Sequence, residues 1–294
     1  MSRPFSCVAL VGRHHTAGVG DTLDEIAAFL RARDQEVLFE AETARSIGRE
    51  ETGVPAEGIG ERADLAVVVG GDGTMLGIAR QMAGFDVPLV GINHGRLGFM
   101  TDVPLASWRD ALKAILDGQY ETGHRTLLSA RVMRSHEVVF SALALNDVVV
   151  SRGAYGRMVE LDVEVDGVFM YTQRADGLIV STPTGSTAYS LSAAGPILHP
   201  NLAGFVIVPV APQALSNRPI VLPDSSRIMI RVHEAPDSRV NCDMQTFADL
   251  QTADEIHIER APYRIRLLHP VGYSYFATLR KKLSWQLLPQ APER

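Results

Sequence analysis

Apolar residues fall in short runs separated by helical patterns through the first part of the chain, and at every second position through much of the rest. FSCVALVG reads as a strand, followed by TLDEIAAFLRARD, where Leu23, Ile26, Ala27 and Leu30 recur at helical spacing. Asp21 or Thr22 is the expected N-cap of that helix. VLFEA and DLAVVVGG read as strands, MLGIARQMA as a helix, VPLVGIN as a strand, and residues from about 105 to 116 as a helix. Strand and helix in alternation imply a parallel sheet covered by helices. Residues 41–60 are polar and glycine-bearing without clear periodicity, which predicts a surface connection of little order with room for one short helix.

Beyond about Arg125 the period becomes two. Val159, Leu161, Val163 and Val165 alternate with Glu160, Asp162, Glu164 and Asp166, and Asp166-Gly167 then leads into VFMYT, the pattern of a hairpin with a tight turn. Similar alternation in RIMIRVH, EIHIER and YRIRLLH predicts an antiparallel β structure of sandwich or barrel type. The closing LPQAPER is expected to fray.

Composition narrows the classes. With 294 residues, 46% hydrophobic and 21% charged, the chain is long enough for two globular domains. A formal net charge of -6 disfavours nucleic acid and anionic membrane as partners and leaves small anionic ligands open. Arg280, Lys281 and Lys282 read as a solvated face. Cys7 and Cys242 are too few for a disulfide framework, and no run reaches the length of an export signal core or a membrane helix, so the expected location is the cytoplasm. His14-His15 reads as a solvated pair, and no metal-ligand spacing is found.

Two segments carry candidate chemistry. In AVVVGGDGTM an apolar strand runs into Gly70, Gly71, Asp72, Gly73 and Thr74 at a helix start. Glycines there permit positive φ and close backbone approach, and the first helical amides offer donors to phosphate. The alternative is a glycine turn with Asp72 as helix cap. The second segment, DGLIVSTPTGSTAYSLSAAG, crowds Ser181, Thr182, Thr184, Ser186, Thr187, Tyr189, Ser190 and Ser192 after another apolar run. Hydroxyls and free amides together suit sugar hydroxyls and pyrophosphate oxygens, and a capped strand-to-helix turn is the plainer account. Weaker signals are Asn146-Asp147 at the head of an apolar strand and the glycine-bearing GINHGRLGFM, either of which also fits a local turn.

Taken in order, GGDGT, GINHGRLGFM, LNDVVV, DGLIVSTPTGSTAYSLSAAGPILHP and VNCDMQ resemble the NAD kinases, especially bacterial ones, and the resemblance extends to the late GYSYFATLRKKLSW. GGDGT alone also occurs in diacylglycerol-type lipid kinases and resembles a phosphofructokinase motif. The resemblance implies ATP-dependent phosphorylation of the adenosine-ribose 2′-hydroxyl of NAD, with a divalent cation such as Mg²⁺ accompanying ATP and no dedicated protein metal site assigned. It implies a Rossmann-like α/β domain over 1–124, a layered, sandwich-like β domain over 125–280 that binds NAD, and a terminal segment, 281–294, packing back on the first. The family's active site lies between domains and between subunits of a homo-oligomer, here expected as a homodimer or homotetramer.

Residue by residue, Asp72 resembles the catalytic acid, and Gly70, Gly71, Gly73 and Thr74 the phosphate loop, with Asp72 and Gly73 also touching NAD. Asn146 and Asp147 match the family's Asn-Glu pair, with Asp147 keeping the charge on a side chain one methylene shorter. Arg174 and Asp176 match positions ahead of the hydroxyl-rich loop. Thr187, Ala188, Tyr189, Ser190 and Ser192 match the stretch that wraps the dinucleotide, and Arg157 and Gln245 are added as NAD contacts. A diacylglycerol-type lipid kinase and a non-catalytic NAD sensor are the competing functions.

Overall fold

In the computed structural model of the chain, residues 5–12, 18–95, 98–153, 157–234 and 237–285 are described. His14-His15 and LPQAPER lie outside them. The chain forms two compact units, one of residues 1–123 with 265–294 and one of residues 124–264.

The first unit opens with β1 (Cys7–Gly12), α1 (Val19–Arg31), β2 (Glu36–Glu40), α2 (Ala41–Ser46), β3 (Gly53–Val54) and α3 (Ala56–Arg62). It continues through β4 (Leu65–Gly70), α4 (Asp72–Met82), β5 (Leu89–Asn93), β6 (Val103–Pro104) and α5 (Trp108–Leu116). The strands pair in parallel in the order β3-β2-β1-β4-β5, with β6 beside β5. Every residue of β1 and β4 is buried, as expected of central parallel strands covered on both faces. Val8, Leu10, Val67 and Val69 pack with Leu23, Ile26 and Leu30 of α1 and with Leu112 and Ile115 of α5.

Helix α1 starts earlier than Asp21 or Thr22. Gly18, in the left-handed region with φ 80, is its N-cap, and the Thr22 hydroxyl donates to the Gly18 carbonyl at 3.0 Å from inside the first turn. Val19 extends the apolar stripe one turn above Leu23, so burial carries the helix past the polar residues that resembled a cap. Residues 41–60 are also more ordered than their composition suggested. The buried Glu40 carboxylate caps α2, accepting from Glu42 N and Thr43 N at 2.8 Å each and from Thr43 Oγ1 at 2.6 Å. Thr43 Oγ1 in turn accepts from Gly12 N at 3.0 Å. Polarity in this stretch serves capping, with the fully buried Ala44 and Ile59 as apolar anchors.

Further along are β7 (Tyr120–Arg134), β8 (Glu137–Ala144), β9 (Asp147–Ser151), β10 (Val159–Val165), β11 (Val168–Ala175), β12 (Gly177–Ser181) and the single turn α6 (Tyr189–Ser192). Then come β13 (Gly204–Val210), β14 (Ile220–Pro223), β15 (Ile228–Glu234), β16 (Arg239–Cys242), β17 (Thr246–Asp249), β18 (Glu255–Pro270) and α7 (Tyr275–Leu283). Within the second unit, β11-β10-β15-β18 pair antiparallel, β7 and β8 form a hairpin, and a separate sheet runs β14-β13-β12-β9-β16-β17. Leu161, Val163, Ile230 and Ile256 of the first sheet interleave with Val148, Val150, Val180 and Ile207 of the second, making a sandwich core. The β10–β11 turn has Asp166 at φ 54 and Gly167 at φ 77, the left-handed pair that the Asp-Gly signal implies.

EIHIER and YRIRLLH belong to one strand, β18. Its alternation slips over Pro262–Arg264, and there the chain passes back into the first unit. Leu267 pairs in parallel with Leu89, and Leu268 joins the first unit's core. The returning segment therefore starts at Ile265, ahead of the 281 that the resemblance suggested, because this long strand itself carries the chain across.

Gly91 in β5 has no room for a side chain: a Cβ there lies 2.6 Å from Met100 O and 2.7 Å from Thr101 Cα. Both neighbours are backbone and cannot rotate away. Gly91→Ala is expected to lower stability by about 2 kcal/mol, read from urea unfolding midpoints; an unchanged midpoint contradicts this packing.

Candidate active site

Strand β4 delivers Gly70 to the C-terminal edge of the first unit's sheet, where α4 begins. None of Gly70, Gly71 and Gly73 has positive φ, so of the two freedoms glycine offers here the left-handed one is not used. Gly71 is extended, at φ -120 and ψ -175, and open space surrounds the position a Cβ would take. Gly71 bares the backbone rather than bending it. Thr74 N and Met75 N close the first turn on Gly71 O, at 3.1 and 3.2 Å.

Asp72 does not cap its own helix. Its carboxylate reaches the segment after β5, where Phe99 N donates to Oδ2 at 2.8 Å. Met100 N, Thr101 N and Thr101 Oγ1 donate to Oδ1 at 3.0, 3.2 and 3.3 Å. This contact follows from register: Gly70 pairs with Asn93, so the chain leaving β5 passes beside the start of α4. A carboxylate accepts at about four lone-pair sites, so three donors saturate Oδ1 and one leaves Oδ2 with a further lone pair.

In the second unit, β9 and β12 run antiparallel with Asp147 opposite Ser181, and Cys242 of β16 lies opposite Val148. Asn146-Asp147, the hydroxyl-rich segment and the 243–245 turn therefore share one end of a sheet. The Asp243 carboxylate ties them together, accepting from Leu145 N at 3.0 Å, Asn146 N at 2.7 Å and Asp147 N at 3.2 Å. Asp243 N donates back to Asp147 O at 2.9 Å. Asp147 is 2% exposed and Asp243 5%. Burial first, and then the negative charge of Asp243, push the Asp147 carboxyl up to about 7.

The hydroxyls divide into two sets. Thr182 Oγ1 donates to Leu145 O at 2.6 Å, Ser181 Oγ to Asn146 O at 3.2 Å, and Ser186 Oγ to Pro183 O at 2.7 Å. All three side chains are fully buried, and they build the turn itself. Thr184, Thr187, Ala188, Tyr189 and Ser192 retain exposure. Ser190 is fully buried, with its Oγ in the space a side chain at Gly195 would take. Gln245 is exposed in the turn, and its N–H donates to Cys242 O at 3.1 Å.

Asp176 immediately precedes β12, about 17 Å from Ser181 at 3.3 Å per residue, while Arg174 lies near the end of β11 and Arg157 just ahead of β10. Asp176 pairs with Arg152 Nε at 2.6 Å, and Arg174 with Glu160 at 3.2 Å. Arg157 is exposed two residues before Val159, which pairs with Ala175. Within one chain these three do not meet the Asn146-Asp147 group.

The family profile described as the ATP-NAD kinase N-terminal domain matches residues 8–120, and that of the ATP-NAD kinase C-terminal domain matches residues 145–269. The chain belongs to the NAD kinase family. It is 57% identical over 294 residues to the NAD kinase of Cupriavidus pinatubonensis, covering 99% of this chain and 96% of that protein. To the NAD kinase of Burkholderia thailandensis it is 56% identical, covering 98% and 97%. An NAD kinase from Archaeoglobus fulgidus, solved in complex with ATP, superposes with a TM-score of 0.75 at 27% identity over 95% of this chain and 98% of that one. Yeast NADH kinase complexed with NADH shares the fold, with a TM-score of 0.91 at 24% identity over 99% and 90%. As an NAD kinase the protein is a phosphotransferase that uses ATP to phosphorylate NAD, and the lipid-kinase and sensor readings are not favoured. Among the described residues no helix is long and apolar enough to cross a membrane.

Two parts of this NAD kinase escaped the sequence reading: the donors from 99–101 on Asp72, and Asp243 beneath Asn146-Asp147. VNCDMQ drew attention to Gln245, whereas the acid two residues earlier makes the backbone contacts.

The Asp147 carboxyl gives the fold a pH dependence. Unfolded, it titrates near pH 4; folded, near 7. Between those values the folded state keeps a proton that the unfolded state releases, so stability falls as pH rises through the window. Asp147→Asn removes this penalty, and its stability advantage over the parent is expected to grow from pH 4 to pH 8 by on the order of 3 kcal/mol. Chemical unfolding across that range tests this, and a pH-independent difference contradicts it.

Proposed function

We propose that the enzyme transfers the γ-phosphoryl group of ATP to the adenosine-ribose 2′-hydroxyl of NAD, giving NADP and ADP, with Asp72 serving the transfer. The bond between the 2′-oxygen and the γ-phosphorus forms as the bridging bond to ADP breaks, and the hydroxyl proton must leave. The observation that carries the assignment is Asp72 itself, anchored by four donors and keeping one lone pair on Oδ2. That site suits a hydroxyl proton, accepted late as the new bond forms.

Gly70, Gly71, Gly73 and Thr74 form the phosphate loop, where the lack of side chains on the glycines allows close backbone approach. Asn146 and Asp147 hold the adenosine-ribose side of NAD; Thr187, Ala188, Tyr189, Ser190 and Ser192 wrap the dinucleotide; Gln245, Arg157, Arg174 and Asp176 add contacts. Two groups of contacts at opposite ends of β12 favour a homodimer or homotetramer, in which a second copy supplies one of them. The two compact units, divided near 123–124 and 264–265, are proposed as the domains.

Mg²⁺ is the proposed cation. Mg²⁺ bound with ATP is held mainly by phosphate oxygens and water. Organising Mg²⁺ is the alternative role for the remaining lone pair of Asp72 Oδ2, in place of accepting the proton, and the cation would supply charge neutralisation at the phosphates. The cytoplasm, where both nucleotides are available, is the proposed location.

Turnover is read by coupling NADP formation to an enzyme that uses only NADP. Asp72→Asn is expected to leave NAD binding largely intact and to lower kcat by at least about a hundredfold; near-normal kcat removes Asp72 from the reaction.

A further inference from the structure

We propose that Gly98 and Thr101 form a clamp that fixes the Asp72 carboxylate so that only the remaining lone pair of Oδ2 is offered to the reaction, with Thr101 as a positioning residue. This rests on the proposed role of Asp72 and adds what orients it.

The Thr101 side chain is fully buried. Its Oγ1 accepts from Asn93 Nδ2 at 3.2 Å and lies 3.3 Å from Asp72 Oδ1. An ionised carboxylate oxygen only accepts, so the hydroxyl proton of Thr101 is directed to Asp72. Asn93, at the end of β5, thereby fixes Thr101, and Thr101 fixes Oδ1.

Gly98 completes the clamp. Its φ is not in the left-handed region, so backbone conformation does not demand glycine. Space does: a Cβ at this position lies 2.1 Å from Asp72 Oδ1 and 2.3 Å from Thr101 Oγ1. Glycine is required because the carboxylate and the threonine hydroxyl occupy the volume of its missing side chain. Any larger residue displaces the Asp72 carboxylate or the hydroxyl that directs it.

The test compares Thr101→Val, Thr101→Ser, Gly98→Ala and Asp72→Asn in the full chain, with kcat and KM for NAD and ATP, NAD binding by calorimetry, and thermal midpoints. Thr101→Val is expected to lower kcat about tenfold, the effect of losing one hydrogen bond to a charged group, with both KM values and NAD affinity near the parent's. Thr101→Ser restores kcat. Gly98→Ala, which shifts the carboxylate bodily, lowers kcat about a hundredfold. A parental kcat in Thr101→Val, a loss that Thr101→Ser does not restore, or an effect confined to KM each overturns the clamp. If Gly98→Ala fails to fold, the Thr101 pair decides alone. Parental turnover in Asp72→Asn overturns the role of Asp72 and the clamp's purpose with it. Turnover lost in Asp72→Asn but kept in Thr101→Val and Gly98→Ala overturns the clamp only.

Discussion

Asp72 stands at the first turn of a helix that follows a fully buried strand, where a carboxylate ordinarily turns back to cap its own amides. Here it faces the other way, into three backbone N–H groups and one hydroxyl from 99–101. That choice removes freedom from the acid itself, while Thr74 N and Met75 N close the first turn on Gly71 O. The parallel register Val69↔Ile92 and Gly70↔Asn93 makes the contact possible, and Gly91 and Gly98 provide the close approach. Packing of the sheet and orientation of the acid are thus one problem, solved by the same few residues.

The second unit repeats the device for a different end. Asp243 also sits in a ring of backbone N–H groups, but its carboxylate is buried, and its effect is to hold the turn carrying Asn146-Asp147. Placing a second carboxylate nearby has an electrostatic consequence, since two buried acids resist ionising together. Burial first, and then the nearby Asp243 charge, raise the Asp147 carboxyl. A side chain one methylene shorter than glutamate keeps that charge close to its own backbone and to Asp243.

Much of this was legible in the chain. Alternation from Val159 to Val165, the Asp166-Gly167 turn and the apolar runs of β1, β4 and β5 each reflect a local rule, and the structure obeys them. The misreadings have physical causes. Thr22 has the chemistry of a cap, yet the apolar stripe continues above it to Val19. Residues 41–60 look like loop because their order depends on the buried Glu40 carboxylate and on Thr43, whose partners include Gly12. Of the crowded hydroxyls, Ser181, Thr182 and Ser186 turn to carbonyls, and nothing in a count of hydroxyls says which point inward. Asp243 was passed over because the N–H groups it binds lie almost a hundred residues earlier. Of the two reasons glycine suits GGDGT, close backbone approach and positive φ, the structure uses the first at Gly71 and shows positive φ at none of the three.

The central claim is geometric: one defined oxygen of one acid serves the phosphoryl transfer. A high-resolution structure of the enzyme with NAD and a non-hydrolysable ATP analogue with Mg²⁺ tests it directly. The account predicts the 2′-hydroxyl or the cation within bonding distance of Asp72 Oδ2, with the contacts from Phe99, Met100 and Thr101 retained. A ligand contact made through Oδ1 after those hydrogen bonds have broken, or no contact to Asp72 at all, contradicts it.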